Sequence, residues 1–497
     1  MTALSRQGRE TAASPASAAG RAAAGRKEAA RAATGSAERV ETALLIGLAG
    51  GLAWAPFWLG GDRLLAWGVD AVLFPALALV YEASLLARGR RHPFAARLIA
   101  APAALFLLVA LWAFAQTSPI ASAAFAHPIW GMASDALGMQ LAGTISVDPP
   151  ATMRALMRLT TDASVLWLSL QLCRQPSQAL FLLEAIAAIV VAYAAYGIVL
   201  AVLFGGAIPF FDVPGSGGFI RSTFVNRNSF ATYAGLGLVV VTALTLRLYR
   251  RAVPDAEGIA SYRLNKLLAA TGRQGGLLVG GGLTILAALL GTVSRGGVLS
   301  TAVGLFAVLA LTMTRRRRGR GDQVEAIAFV AAAIAIAFAF YGDRFVGRIV
   351  ASSLEDTSRL SVYAIVVHAI MDAPLLGFGY GTFADVFPMY RDQSIPTSGV
   401  WDLAHNTYLE VWLGLGLAAG TALMAAIGVL ALKCLAGAVN RQRDSIAPVV
   451  ATAATLLVGV HALVDFSLQM EAVTLTFMAL LGAGVAQSQS SRVAVAD

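Results

Sequence analysis

Long apolar segments separated by short polar ones repeat along most of this chain. Beyond residue 39, each apolar segment is roughly 17–25 residues long, enough to cross about 30 Å of hydrocarbon as a helix. The pattern predicts about twelve membrane-spanning helices, of which the fourth is short. They are expected near 41–60, 64–87, 98–116, 160–173, 177–205, 228–248, 275–293, 297–314, 324–341, 404–432, 446–466 and 470–488.

The composition supports a membrane protein and argues against a soluble one. Hydrophobic residues make up 58% of the chain and charged residues 13%, whereas soluble domains are about 45–50% apolar and 25% charged. So few polar side chains could not cover a soluble surface. The fold class predicted is therefore all-α, a polytopic bundle of transmembrane helices. The net charge of +9 is expected of basic cytoplasmic loops and does not indicate a nucleic-acid partner.

Basic residues predict which loops face the cytoplasm. With the N-terminus inside, segments such as "ARGRRHPFAAR" and "TRRRRGR" are cytoplasmic, and only ten of the 37 basic residues lie outside. All ten are arginines: Arg63, Arg154, Arg158, Arg221, Arg227, Arg295, Arg344, Arg348, Arg359 and Arg391. Arg295 falls in a very short turn, where a positive charge opposes the topology rule, and this favours a functional role for it.

The same pattern divides the chain into four regions. These are a disordered basic cytoplasmic tail at 1–39, transmembrane helices at 40–219, a second transmembrane region at 220–488 with a long periplasmic loop at 342–403, and a cytoplasmic tail at 489–497. Within the loop, Asp356 or Thr357 can cap a helix that begins "SRLSVYAIVVHAIM", and the Pro and Gly residues of "DAPLLGFGYGTF" end it. The long loop is therefore expected to contain short helices.

Polar residues that could act on a substrate gather at the predicted outer face. They are Arg227, Arg295, Arg359, His405 and Asp465. Several arginines around one histidine suit a bound dianion better than a metal ion, because the guanidinium offers phosphate oxygens a fixed fork of donors. A neutral imidazole nearby can accept a proton from a sugar hydroxyl. Since ATP is absent outside the cell, a phosphate-bearing substrate there must arrive already activated.

Two of these candidates also have a structural interpretation. His405 stands at the start of a predicted span, where a histidine is commonly a cap or an interface group. His461 and Asp465 are four residues apart and share a helix face, so this pair is either an internal polar lock or part of a site.

Five sequence strings indicate a family. They are "FVNRNSFATYAGLGL" (224–238), "SRGGVLS" (294–300), "SRLSVYAIVVHAIMDAPLLGFGYGTF" (358–383), "AHNTYLEVWLGLGLAAG" (404–420) and "HALVDFSLQM" (461–470). In these strings and their order, the chain resembles the O-antigen ligase/polymerase superfamily over roughly 220–485. The block that begins "AHN" and ends in "GLGL" is the most specific of them.

The resemblance implies a metal-independent, inverting glycosyltransferase. Such an enzyme moves a glycan from undecaprenyl diphosphate to an acceptor hydroxyl at the periplasmic face of the bacterial inner membrane. His405 matches the family's essential histidine, and Arg295 and Arg359 match its arginines that hold the diphosphate. Roles in substrate binding are expected for Arg221, Arg227, Asn406, Tyr408 and Asp465.

The implied partners are a lipid-linked glycan donor, lipid A-core or another glycan acceptor, and membrane lipids, with no cofactor and no nucleic acid. At Ser229, where members often carry His, no chemical role is expected.

Three further interpretations stay open at this point. A polymerase of the same superfamily would extend one lipid-linked repeat with another, and it needs the same grip on the donor. A related transferase could act on protein. A transporter or flippase is a different class, and it is disfavoured because neither half of the chain resembles the other and the polar candidates lie at one membrane face.

Overall fold

The computed structural model describes residues 38–119, 125–252, 260–313, 353–395, 400–441 and 445–489. Over these residues the chain is helical and contains no β-strand. The predicted all-α class is therefore confirmed. Residues 1–37 and 490–497 of the predicted tails, and the predicted span at 324–341, lie outside the described residues.

Fourteen α-helices follow one another in the described residues. They are α1 Glu38–Phe57, α2 Leu64–Ala87, α3 Ala100–Gln116, α4 Ile129–Leu137, α5 Pro149–Leu172, α6 Pro176–Phe204, α7 Arg227–Ala252, α8 Ala260–Gly291, α9 Arg295–Met313, α10 Ser353–Asp372, α11 Phe383–Tyr390, α12 Thr407–Asn440, α13 Ile446–His461 and α14 Glu471–Ser488.

Nine helices in this part of the chain are long and apolar enough to cross a membrane, namely α1, α2, α3, α6, α7, α8, α9, α12 and α14. The predicted fourth span is the second half of α5, whose first half carries Arg154 and Arg158. Helix α13 is apolar but has only 16 residues, about 24 Å at 1.5 Å per residue. The architecture is that of a polytopic helical membrane protein.

Helices α7 and α14 form the centre of the bundle. In their apolar windows 83% and 89% of residues are buried, compared with 22% in α2 and α3. Helix α14 packs against α5 and α13, and α13 packs against α9. Small residues allow this close approach: a Cβ at Gly484 would lie 2.2 Å from the Cβ of Ala451. The central helices thus fix the positions of the turns at their ends.

Helix α12 is broken near its start, where the chain after α10 crosses it. Gly416 has a φ of +78°, and a Cβ there would lie 2.4 Å from the carbonyl oxygen of Leu375. The crossing segment donates from Phe378 N to Leu413 O and from Gly379 N to Gly414 O, both at 3.0 Å. The strings "LLGFGYGTF" and "GLGL" therefore meet as two backbones that approach closely.

Side chains of α3 complete the hydrogen bonding at this break. Gln116 Nε2 donates to the carbonyl of Gly414 at 2.8 Å, and Trp112 Nε1 donates to that of Leu415 at 2.9 Å. Irregular backbone is tolerated at membrane depth only where the protein itself satisfies the polar groups, and here it does.

Helices α10 and α11 occupy the segment predicted to be a long loop with short helices. The predicted start of α10 is wrong, because the helix begins at Ser353 and not after Asp356 or Thr357. Val366 and Ile370 of α10 are buried, while Leu360 is 67% exposed.

We predict that Gly416→Ala destabilises the protein by at least about 1–2 kcal/mol, because alanine is strained at a positive φ and would overlap the Leu375 carbonyl. Gly428→Ala in the same helix is the matched control, since nothing lies within 4 Å of its Cβ position. Thermal unfolding in detergent measures both variants. Equal melting temperatures for the two would contradict the description of the crossing.

Candidate functional site

His405 lies in the loop that leads into α12, just before the helix rather than inside the span predicted from 404. Its φ is +53°, and 23% of its side chain is exposed. The imidazole packs edge-on against Trp401 and Phe466, with ring centroids 5.4 and 4.8 Å away. One side of the ring therefore stays accessible while aromatic neighbours fix its plane.

Asp465 lies in the turn between α13 and α14, and its carboxylate is next to the His405 imidazole. Its carboxylate is 1% exposed, and Oδ1 is 3.8 Å from His405 Nδ1, slightly longer than a hydrogen bond. The same oxygen accepts the Phe466 N–H at 2.7 Å. Thr407 Oγ1 donates to the Asp465 carbonyl at 3.1 Å, so the turn and the start of α12 are joined.

His461 lies beneath this pair at the end of α13 and is 1% exposed. Its Nε2 is 4.0 Å from Asp465 Oδ2. On the other side of the ring, Nδ1 lies 3.0 Å from Thr232 Oγ1 and 3.1 Å from Ser467 Oγ. Asp465 therefore sits between two imidazoles, of which only His405 reaches the surface. His461 is buried, and its hydrogen-bonding neighbours are Thr232 and Ser467, whereas its contact with the carboxylate is longer than a hydrogen bond.

Burial controls the charges at the His405–Asp465 pair, which lies beyond the ends of the membrane-spanning helices. Burial, assisted by the positive charge of Arg359, lowers the pKa of His405 to about 4. Burial raises the pKa of Asp465 to about 6, although the Phe466 N–H, Arg359 and the Asn228 side chain act in the opposite direction. At pH 7 the imidazole is consequently neutral and the carboxylate is largely ionised.

Three of the predicted arginines lie on helices that meet around this pair. Arg359 is on α10, which packs on α12, and its charge acts on both His405 and Asp465. Arg295 is the first residue of α9; the Cβ position of the next residue, Gly296, is 3.3 Å from His461 Nε2. Arg227 begins α7, with its guanidinium over the Phe219 ring at 4.3 Å.

The remaining predicted residues make contacts within the protein. The guanidinium of Arg221 donates to the carbonyls of Gly206 and Pro214 and so ties the loop before α7 together. The Asn406 side chain accepts the N–H groups of two residues that follow it and donates to the Leu463 carbonyl at 3.0 Å. Tyr408 donates its hydroxyl to the Gly459 carbonyl at 2.8 Å. Substrate binding by these three residues stays a prediction.

Sequence reasoning missed several residues that complete the arrangement. They are Asn228, Thr232, Tyr363 and Glu410, each of which contacts His405, His461, Asp465 or the backbone beside them. A signal existed in their spacing, because Asn228 and Thr232 are one helical turn apart, as are Arg359 and Tyr363. Polar residues one turn from a candidate, at the same end of a span, share its face.

A family comparison bears on this geometry. Residues 280–424 match a family model described as O-antigen ligase. The resemblance to the O-antigen ligase superfamily is confirmed. The matched segment is 145 of 497 residues and contains Arg295, Arg359 and His405, whereas Arg227 and Asp465 lie outside it. No curated protein matches the chain at a significant level.

The family match and the apolar helices together indicate a multi-pass membrane protein. The match supports a function of the O-antigen ligase or polymerase type, with the glycan and lipid-linked substrates that this family implies. The matched segment runs from within α8 into α12. It therefore holds the start of α9, which carries Arg295, and the loop before α12, which carries His405.

Removing the N-cap of α12 tests the structural role of Asn406. We predict that Asn406→Ala lowers stability by about 1–2 kcal/mol, because two N–H groups lose their acceptor. Asn406→Ser keeps an acceptor for the cap and, like alanine, cannot donate to the Leu463 carbonyl, so it should cost less than Asn406→Ala. Thermal unfolding in detergent compares the two, and an equal loss in both variants would mean that the cap is not what Asn406 contributes.

Proposed function

We propose that the protein transfers a glycan from undecaprenyl diphosphate to an acceptor hydroxyl at the periplasmic face of the bacterial inner membrane. The leading form of this reaction is ligation of O-antigen, or a related polysaccharide, to lipid A-core. The observation that carries the proposal is the neutral, partly exposed His405 beside buried Asp465, within the electrostatic reach of Arg359.

The arginines would serve the leaving group. Attack on the anomeric carbon breaks its bond to the diphosphate, and negative charge develops on the departing oxygen. Arg359 and Arg295 would bind the phosphate oxygens and stabilise this charge, as preorganised donors do in a partly dry site. This arrangement supports a metal-independent reaction, because two fixed positive charges supply the stabilisation that a metal ion provides elsewhere.

His405 would serve the acceptor. Its neutral imidazole can take the proton of the attacking hydroxyl, a contribution worth roughly 10²–10⁴-fold in rate for a general base. Asp465 would hold the ring and stabilise the imidazolium that forms, which requires the 3.8 Å contact to shorten when substrate binds. Contacts of this kind are often long in empty sites and tighten in the reactive complex.

Ligation is preferred to polymerisation on the description of the matching family, O-antigen ligase. Gel analysis of surface polysaccharide after deletion of the gene separates the two. Core without attached chains, together with long polymer on the lipid carrier, supports ligation. Loss of all chains longer than one repeat would indicate that the protein is a polymerase and not a ligase.

Substitutions should separate the donor and acceptor sides. We predict that His405→Ala binds lipid-linked glycan nearly as well as the wild type but loses at least about 10²-fold in transfer rate. Arg359→Lys keeps the charge but loses the bidentate fork, so transfer should fall about tenfold or more. Purified protein in membranes, assayed for donor binding and for single-turnover transfer, measures both quantities.

The matched control is His368→Ala, because His368 is on the same helix as Arg359 and its side chain is 73% exposed. It should transfer at the wild-type rate. If His405→Gln and Arg359→Lys are both folded and near normal in activity, the proposed site is eliminated.

The pH dependence of transfer should report Asp465. Because burial raises the pKa of Asp465 to about 6, the rate should be constant above pH 7 and fall as the carboxylate is protonated near pH 6. The relevant quantity is kcat/KM, which reports groups of the free enzyme, where His405, with a pKa of about 4, stays neutral through this range. Asp465→Asn should be slower and lack the decline near pH 6. A decline that persists in Asp465→Asn would assign it to another group.

A further inference from the structure

The backbone of His405 has an unusual conformation for a residue other than glycine. Its φ is +53°, in the left-handed region that side chains with a Cβ rarely adopt. Such a conformation persists only where the surroundings fix it, and residues of this kind concentrate at functional sites. The question is which groups hold His405 in this state.

Two buried or half-buried side chains bond to the backbone on either side of His405. Glu410 Oε2 accepts the N–H of Ala404 at 3.0 Å, and the hydroxyl of Tyr363 donates to the carbonyl of His405 at 2.8 Å. Glu410 is 8% exposed and Ala404 is completely buried. The Tyr363 bond therefore restrains the peptide group directly after the rotatable bonds of His405. The Glu410 bond restrains the peptide group before Ala404, one residue further back.

Neither bond is needed to form the helix that follows. The Asn406 side chain already caps α12 through the N–H groups of Tyr408 and Leu409. Glu410 lies in the first turn of that helix and reaches back beyond the cap to Ala404. Its carboxylate therefore shapes the approach to the helix, which is the segment that carries His405.

Tyr363 connects His405 to the helix of Arg359. Tyr363 and Arg359 are four positions apart on α10 and share one face. The bond from Tyr363 to the His405 carbonyl therefore ties the backbone that carries the imidazole to the helix that carries the guanidinium. Under the proposed function, these groups serve the two reactants, and their separation must match the distance between the acceptor hydroxyl and the diphosphate.

We propose that Glu410 and Tyr363 are positioning residues, which hold His405 in its left-handed conformation and at a fixed distance from Arg359. This inference rests on the proposed function for its effect on transfer, but the restraint on His405 is a separate physical property. In the sequence, Glu410 supplies the last letter of "AHNTYLE", and the structure connects it to the first.

The test measures the chemical reactivity of His405 together with its activity. Diethyl pyrocarbonate modifies neutral imidazoles, and mass spectrometry of the His405 peptide gives the rate. In Tyr363→Phe and Glu410→Ala, His405 should leave its place between Trp401 and Phe466 and react at least threefold faster. The turnover number should fall at least tenfold, with the KM for the lipid-linked donor within twofold of the wild type.

Conservative variants and controls make the result specific. Glu410→Gln keeps an oxygen acceptor for the Ala404 N–H, so it should recover most of the loss seen in Glu410→Ala. Tyr390→Phe, in a neighbouring helix, should match the wild type in both readouts. The exposed His368 provides the internal standard for the reagent. Tyr363→Phe removes a single oxygen atom and decides the matter if Glu410→Ala fails to fold.

Two outcomes would be unfavourable in different ways. Reduced turnover with an unchanged modification rate at His405 would overturn the positioning inference. Faster modification with unchanged turnover would support the restraint of His405 by Glu410 and Tyr363. It would overturn the proposed function, because the imidazole would then not take part in transfer.

Discussion

The structure depends on satisfying backbone polar groups at helix ends that the packed bundle shields from water. This requirement joins the start of α12 to the turn after α13. Thr407 N donates to the Ala462 carbonyl at 2.9 Å, and Asn406 donates to that of Leu463 at 3.0 Å. These bonds bring His405 next to Asp465, although the two are 60 residues apart in the chain. The site is a consequence of how the helix ends are closed.

A second polar contact fixes the other end of that turn. Arg158 of α5 lies with Nε 3.4 Å from Glu471 Oε1 at the start of α14, donates to the Gln469 carbonyl and stacks over the Trp67 ring at 4.5 Å. Buried charges are costly unless they are paired, so α2, α5 and α14 are held in one arrangement. The turn that contains Asp465 is thereby anchored at both ends. This anchoring keeps Asp465 in place, 3.8 Å from His405.

The sequence predicted the helices well, because a membrane span has a length and a composition that can be read locally. His405, Arg359 and Asp465 could be chosen as candidates, since charged and titratable residues stand out in apolar surroundings, and the structure brings them together. Pairings between distant segments could not be predicted, and neither could the break in α12, whose glycines fit helix packing equally well. The contact made by Glu410 could not be predicted for a related reason. An acidic residue in the first turn of a helix is ordinary, and only the fold shows that it reaches back to Ala404.

The position of Arg359 gives the proposed reaction an order. Its positive charge helps to lower the pKa of His405 to about 4, which makes the imidazole a weak base. A diphosphate bound to Arg359 would bring negative charge near the ring, and this would favour the imidazolium and raise the pKa of His405 towards neutrality. General bases work best when their pKa lies near the ambient pH. If Arg359 holds the donor as proposed, donor binding would itself strengthen the base, and the acceptor hydroxyl would be activated only when a glycan is in place to receive it.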